Sequence, residues 1–180
     1  MKTILNRLTA HETLSKSEAK SILKQISTKE FSEVQIAAFL TVFMMRNITL
    51  EELEGFRQAL LELCHALDLS EFDPIDLCGT GGDSKNTFNI STLAAFVTAG
   101  ASVNVAKHGN YGVSSVSGSS NVLEFLGLTF RQDESFHKKC LDKANICILH
   151  APLFHPAMKT VAPVRKSLAL KTFFNMLGPM

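Results

Sequence analysis

Apolar residues recur at helical spacing over the first seventy positions and fall into short unbroken runs after Pro74. Leu14, Ala19, Ile22, Leu23 and Ile26 form one stripe, Ile36, Phe39, Leu40 and Phe43 a second, and Leu53, Phe56, Leu60, Cys64 and Leu67 a third; stripes of this period bury one face of a helix. Each follows a Ser/Thr-x-x-Glu/Gln start signal: Ser15 with Glu18, Ser32 with Gln35, and Thr49 with Glu52. With a short leading helix at residues 4–8, the pattern predicts a small helical domain over residues 1–70. Residues 74–78, 102–106 and 146–149 are β-branched runs that predict buried strands, and helical patterns at residues 90–99, 121–126 and 134–144 separate them. Such alternation predicts an α/β region over residues 71–180 with a mostly parallel sheet, whose ligands collect outside the carboxyl ends of the strands. Residues 173–180 end as a new element starts, so this region is expected to be incomplete at its carboxyl end.

Composition narrows the class. The 180 residues carry 18 Lys+Arg against 17 Asp+Glu, a net charge of +1, with 46% apolar residues. This balance is that of a globular chain and excludes a disordered tail or a phosphate-neutralising nucleic-acid binder. The uncharged stretch at residues 86–106 is too rich in Asn, Ser and Thr for a membrane span. No secretory signal opens the chain, and Cys64, Cys78, Cys140 and Cys147 form no C-x-x-C pair. Free thiols in a reducing cytoplasm are expected.

The candidate chemistry sits in two loops that follow strands. Gly79-Thr80-Gly81-Gly82-Asp83 runs into Thr87, Asn89, Ile90, Ser91 and Thr92 at a helix start. Glycines let the backbone approach a ligand, and a helix amino terminus favours an anion. A dinucleotide fingerprint would need glycine at Ser84, and no triphosphate-loop signature is present. The glycines alone would serve a tight turn, but Asp83 and the Asn/Ser/Thr set favour a phosphate loop. The second loop opens with Lys107, His108, Gly109 and Asn110, and continues through Ser114, Ser115, Ser117, Gly118, Ser119 and Ser120. One ammonium and many hydroxyl and amide donors suit a diphosphate.

These two blocks, with a third from His155-Pro156-Ala157-Met158-Lys159 through Arg165-Lys166 to Asn175-Met176-Leu177-Gly178-Pro179, closely resemble the anthranilate phosphoribosyltransferase family of tryptophan biosynthesis. The resemblance covers the whole chain. It implies an architecture similar to the nucleoside phosphorylases: a small helical domain that contributes to a homodimer, joined to a larger α/β domain. It also implies a Mg2+-dependent enzyme that transfers the phosphoribosyl group of 5-phosphoribosyl 1-diphosphate to the amino group of anthranilate, with no nucleic-acid or membrane partner.

By that resemblance the donor is contacted by Gly79, Gly82, Asp83, Thr87, Asn89, Ser91, Thr92, Lys107, Ser115 and Ser119, Ile90, Gly109 and Ser114 are further substrate-binding residues, and Ser91 touches the metal. Asn110 and Arg165 hold anthranilate, near His108 and His155. No side chain is expected to act as a covalent nucleophile. Tyr111 and Asn121 stand where many members have arginine and aspartate. Members are nearly twice as long, and an Asp-Glu pair in their second half binds magnesium, so 180 residues alone are expected to be inactive. A nucleoside phosphorylase-like enzyme and a truncated, non-catalytic binding relative are the alternatives.

Overall fold

The computed structural model describes residues 1–79, 88–112 and 117–180. They form two compact units, Met1–Cys64 with His155–Met180, and His65–Phe154. Helices α1 (Lys2–Thr9), α2 (Lys16–Ser27), α3 (Glu33–Met45) and α4 (Leu50–Leu63) build most of the first unit. All three start signals are realised as reciprocal capping boxes at Ser15, Ser32 and Thr49. Each box satisfies amides that the first helical turn would leave without partners.

Phe39, Phe43 and Phe56 interlock edge to face inside this unit. Phe173 stacks on Phe56 with centroids 4.4 Å apart. That contact shows where the last segment goes. His155–Met180, expected with the α/β region, packs in the helical unit, because Val161 and Val164 of α9 (Met158–Leu168) and Phe173, Phe174 and Leu177 at α10 (Phe174–Leu177) share the core of Phe39 and Phe56.

Under the aromatic cluster one carboxylate joins three chain segments. Glu52 is wholly buried. Its Oε1 accepts from the Leu14 N–H at 2.9 Å, its Oε2 from the Thr49 N–H at 2.9 Å, and Arg46 donates to both oxygens. Burial pushes the Glu52 pKa up, but the Arg46, Thr49 and Leu14 bonds outweigh it and hold the group below the usual carboxylate range.

The second unit contains a 3-10 turn at Ser70–Phe72, helices α5 (Ile90–Gly100), α6 (Ser119–Phe125), α7 (Glu134–Ala144) and α8 (Ala151–Phe154), and strands β1 (Val105–Gly109) and β2 (Ile146–His150). The strands are parallel, in register from Val105 opposite Ile146 to Gly109 opposite His150. Val105 and Ile146 pack with Ala95 and Ala99 of α5, and Cys147 packs with Leu141 of α7. Both strands are therefore buried from two sides, as parallel pairing requires.

Two expected strands differ in extent. β1 begins three residues later than predicted, because Ala101 and Val103 still donate to Val97 and Thr98 at the end of α5 and Ser102 turns through a left-handed φ of 67°. The run at residues 74–78 contributes one parallel bridge, Ile75 to Val105. The next rung is replaced by side chains: the His108 N–H donates to the Asp76 carboxylate at 3.2 Å, and Lys107 Nζ takes the Leu77 carbonyl at 2.7 Å. Among the described residues, no helix is long and apolar enough to cross a membrane.

Replacing Glu52 by Gln leaves the largely buried Arg46 without its counter-charge, which is expected to cost about 3 kcal/mol. Urea unfolding followed by helical circular dichroism measures this. Because the folded pKa of Glu52 lies below its ordinary value of 4.5, the wild-type advantage over Glu52→Gln should be complete above that pH and shrink as acid protonates the carboxylate.

Candidate active site

The carboxyl end of β1 brings together the groups that replaced the missing rung. Lys107 is only 2% exposed, and its ammonium donates to the Leu77 carbonyl at 2.7 Å and to the His108 carbonyl at 3.3 Å. Burial draws the Lys107 pKa down, against the pull of the nearby Asp76 carboxylate. Lys107 therefore anchors the root of the first loop with two of its three donors.

Asp76 takes the His108 ring Nδ1 as well as its backbone N–H. Burial raises the carboxyl pKa, but these bonds prevail and hold it below the ordinary range. Asp76, Cys78 and His108 bring an oxygen, a sulfur and a ring nitrogen within 4.8 Å of one another. The Asp76 carboxylate is already engaged through both oxygens, and the Lys107 ammonium acts on both Asp76 and Cys78. The trio is thus a charge-balanced anchor, and a second cation would meet Lys107 at short range.

The start of α5 adjoins the end of the second loop. Asn89, at the helix start, does not cap the helix with its side chain. Instead its Nδ2 donates to the Gly118 carbonyl at 3.3 Å. Of the first-turn amides of α5, those of Ile90 and Thr92 donate to the Phe88 and Asn89 carbonyls at 2.8 and 3.0 Å, which leaves, among the described residues, the N–H of the half-buried Ser91 for another acceptor, beside the buried Thr92. Thr92 Oγ1 is buried and has no hydrogen-bond partner among the described residues. Ile90 is exposed on the same turn.

Across from this turn, Asn110 is exposed, and its carbonyl accepts from the Ser120 N–H at 3.1 Å and from Ser119 Oγ at 3.4 Å. The approach is close enough to demand glycine. A Cβ at Gly109 would lie 2.4 Å from Ser119 Oγ, and one at Gly118 would lie 2.3 Å from the Gly112 nitrogen. Asn121 closes the turn, its Oδ1 accepting from Gly112 N–H at 3.0 Å and Gly118 N–H at 2.9 Å. An aspartate oxygen could accept the same two bonds, so asparagine at this position preserves the helix start.

Two expected site residues belong to the helical unit. Arg165 lies in the last turn of α9, its guanidinium 5.3 Å from the Phe174 ring centre and its Nη2 donating to Asn175 Oδ1 at 3.3 Å. Arg165 Nε is buried with no partner among the described residues. His155 is half-buried just ahead of α9, and its carbonyl accepts from the Met158 N–H at 3.0 Å.

Of the remaining expected residues, Gly79 is exposed at the end of the described first segment. Gly82, Asp83, Thr87, Ser114 and Ser115 lie outside the described residues. Asp76, Ser120 and His150 were not singled out for site roles from sequence, although each is a polar residue in or beside a strand or an apolar helix face. That placement was the available signal.

Residues 2–64 match the glycosyl transferase family helical bundle domain, and residues 71–180 match the glycosyl transferase family a/b domain. An anthranilate phosphoribosyltransferase from Christiangramia forsetii is 70% identical over the whole chain, which covers 54% of that protein. The crystal structure of the anthranilate phosphoribosyltransferase from Thermus thermophilus superposes with a TM-score of 0.86 at 36% identity, over 97% of this chain and 53% of that one. The Saccharomyces cerevisiae anthranilate phosphoribosyltransferase in complex with PRPP and Mg gives a TM-score of 0.84 at 30% identity, over 97% of this chain and 53% of that one. The chain thus spans about half the length of the curated relatives it matches. Both parts of the sequence, the capped helices and the α/β stretch, place the chain in the glycosyl transferase family.

Proposed function

We propose that the chain serves an anthranilate phosphoribosyltransferase, which moves the phosphoribosyl group of 5-phosphoribosyl 1-diphosphate onto the anthranilate nitrogen and releases diphosphate. The observation that carries this reading is the uncapped start of α5 held against the Gly118 turn by Asn89. That junction offers the Ser91 N–H and the hydroxyls of Ser91, Thr92 and Ser119 to one anion. Departure of diphosphate builds negative charge on its oxygens, so donors fixed in advance favour the transition state over the ground state. Gly79, Gly82, Asp83, Thr87, Ile90, Gly109, Ser114 and Ser115 belong to the same donor site in this reading. Lys107, buried in β1, adds its positive charge in this reading.

Anthranilate brings a carboxylate and a neutral aromatic amine that is already nucleophilic, so the protein's task is to orient it. Arg165 suits the carboxylate: its plane is fixed by Asn175 and Phe174, and its buried Nε lacks a partner that a bidentate anion would supply. The exposed Asn110 and the half-buried His108 and His155 are further acceptor residues in this reading.

The Ser91 hydroxyl, half-buried in the first turn of α5, is a hard oxygen ligand of the kind Mg2+ accepts beside phosphate oxygens and water. When bound, Mg2+ would neutralise charge on the diphosphate. The reading includes a homodimer through the helical unit, where Val34, Met45 and Leu50 are exposed apolar residues, and a cytoplasmic setting for the four free thiols. It includes neither a nucleic-acid nor a membrane partner, and it places further magnesium ligands in the part of the relatives' length that this chain does not span.

Loss of anthranilate fluorescence on addition of donor and Mg2+ to the complete protein tests the assignment. Phosphorolysis of a nucleoside, with anthranilate untouched, would replace it with the nucleoside phosphorylase reading. Arg165→Lys keeps the charge but loses the planar fork, so the KM for anthranilate should rise about tenfold while that for the donor changes little. Equal changes in both constants would assign Arg165 a structural role only.

A further inference from the structure

His150 closes β2 directly opposite Gly109, the residue before Asn110. Both His150 and Ser120 are buried, and His150 Nδ1 meets Ser120 Oγ at 2.8 Å. The imidazole is held flat against Phe130, with centroids 4.3 Å apart and planes 10° from parallel, while Tyr111 meets it edge-on at 4.8 Å. Tyr111 is itself tied down by a bond from its hydroxyl to Glu124 Oε1 at 2.8 Å. Burial keeps the His150 pKa below its ordinary value against the opposing charge of Glu124, so the ring is neutral and offers one donor and one acceptor nitrogen.

A buried polar pair in an otherwise apolar setting costs free energy unless both partners are satisfied. Here the pair joins three segments of chain: the end of β2, the start of α6 and, through the Tyr111 edge, the turn that follows Asn110. Ser120 is engaged twice. Its hydroxyl meets His150, and its N–H donates to the Asn110 carbonyl at 3.1 Å.

We propose that His150, acting through Ser120, is a positioning residue that fixes the Asn110 turn for the acceptor substrate. The proposal rests on the phosphoribosyltransferase reading for its catalytic consequence and on the His150–Ser120 geometry for its structural one. The ring touches no reacting atom. It sets where Asn110 stands relative to Gly109 and Ser119.

Three variants of the complete protein separate the contributions. Ser120→Ala removes the hydroxyl, His150→Phe keeps the flat ring but removes Nδ1, and His150→Asn keeps a polar atom close to the position of Nδ1. Ser120→Ala and His150→Phe should each raise the KM for anthranilate about fivefold, the factor one neutral hydrogen bond is worth. The donor KM should stay within about twofold, and the double variant should be no worse than either single one. His150→Asn should recover most of the loss. Amide hydrogen exchange at Tyr111 and Gly112 should quicken in Ser120→Ala and His150→Phe, whether or not the protein turns over.

Unchanged exchange, or a fall in kcat with both KM values unaltered, would overturn the positioning role. Faster exchange in the variants of a protein that never consumes anthranilate would support the anchor and overturn the phosphoribosyltransferase reading instead. Should His150→Phe fail to fold, Ser120→Ala, which removes only one oxygen, decides the question.

Discussion

The parallel pairing of β1 with β2 is the constraint on which the α/β unit depends. Two parallel strands cannot be joined by a tight hairpin, so the chain between them must leave the sheet and return. Their shared register puts Gly109 and His150 side by side at the carboxyl ends. Everything the site uses in this unit is arranged from that edge. The loop leaving β1 folds back onto α6, and the start of α5 reaches the same turn through Asn89.

The neighbouring run around Ile75 shows how a sheet can stop on purpose. Its first rung to β1 forms, and the next is taken over by Asp76 and Lys107, whose opposite charges each claim one half of a backbone bond. Ending the ladder there frees the chain to leave the sheet at Gly79. The ammonium is buried while the carboxylate stays exposed at the edge, and the Asp76 charge offsets part of the cost of burying Lys107. The same logic governs Glu52 in the helical unit, where a fully buried carboxylate is kept ionised by Arg46 and by two backbone amides.

Small residues then decide how closely chains can meet. At Gly109 and Gly118 a single added carbon would collide with the opposing turn. Side-chain oxygens supplement backbone pairing here, with Asn121 Oδ1 accepting from two amides and Ser119 Oγ donating to the Asn110 carbonyl. Arg165 shows the complementary arrangement, a charged plane held by a ring and an amide, its buried Nε without a partner among the described residues.

The helices of the first unit were legible in sequence because capping boxes and apolar stripes are local signals: Ser15, Ser32 and Thr49 need only the residues three positions on. The two glycine- and hydroxyl-rich stretches stood out in sequence because such residues between a strand and a helix mark a tight turn or an anion loop, and the third block because its residues resemble those of a known family. Tertiary structure decided what depends on partners far along the chain. Residues 74–78 carry strand-forming side chains, but the extent of pairing was set by Asp76 and Lys107, thirty-one positions apart. The last segment reads as a continuation of the α/β region, yet Phe173 found Phe56 and joined the helical core. His150 carries no motif and Ser120 is one hydroxyl among several in the second loop, and only the register of β2 against β1 and the placement of α6 brought them together. Local propensity and periodicity act within a few residues, whereas burial, charge pairing and long-range hydrogen bonds are defined only once distant segments have met.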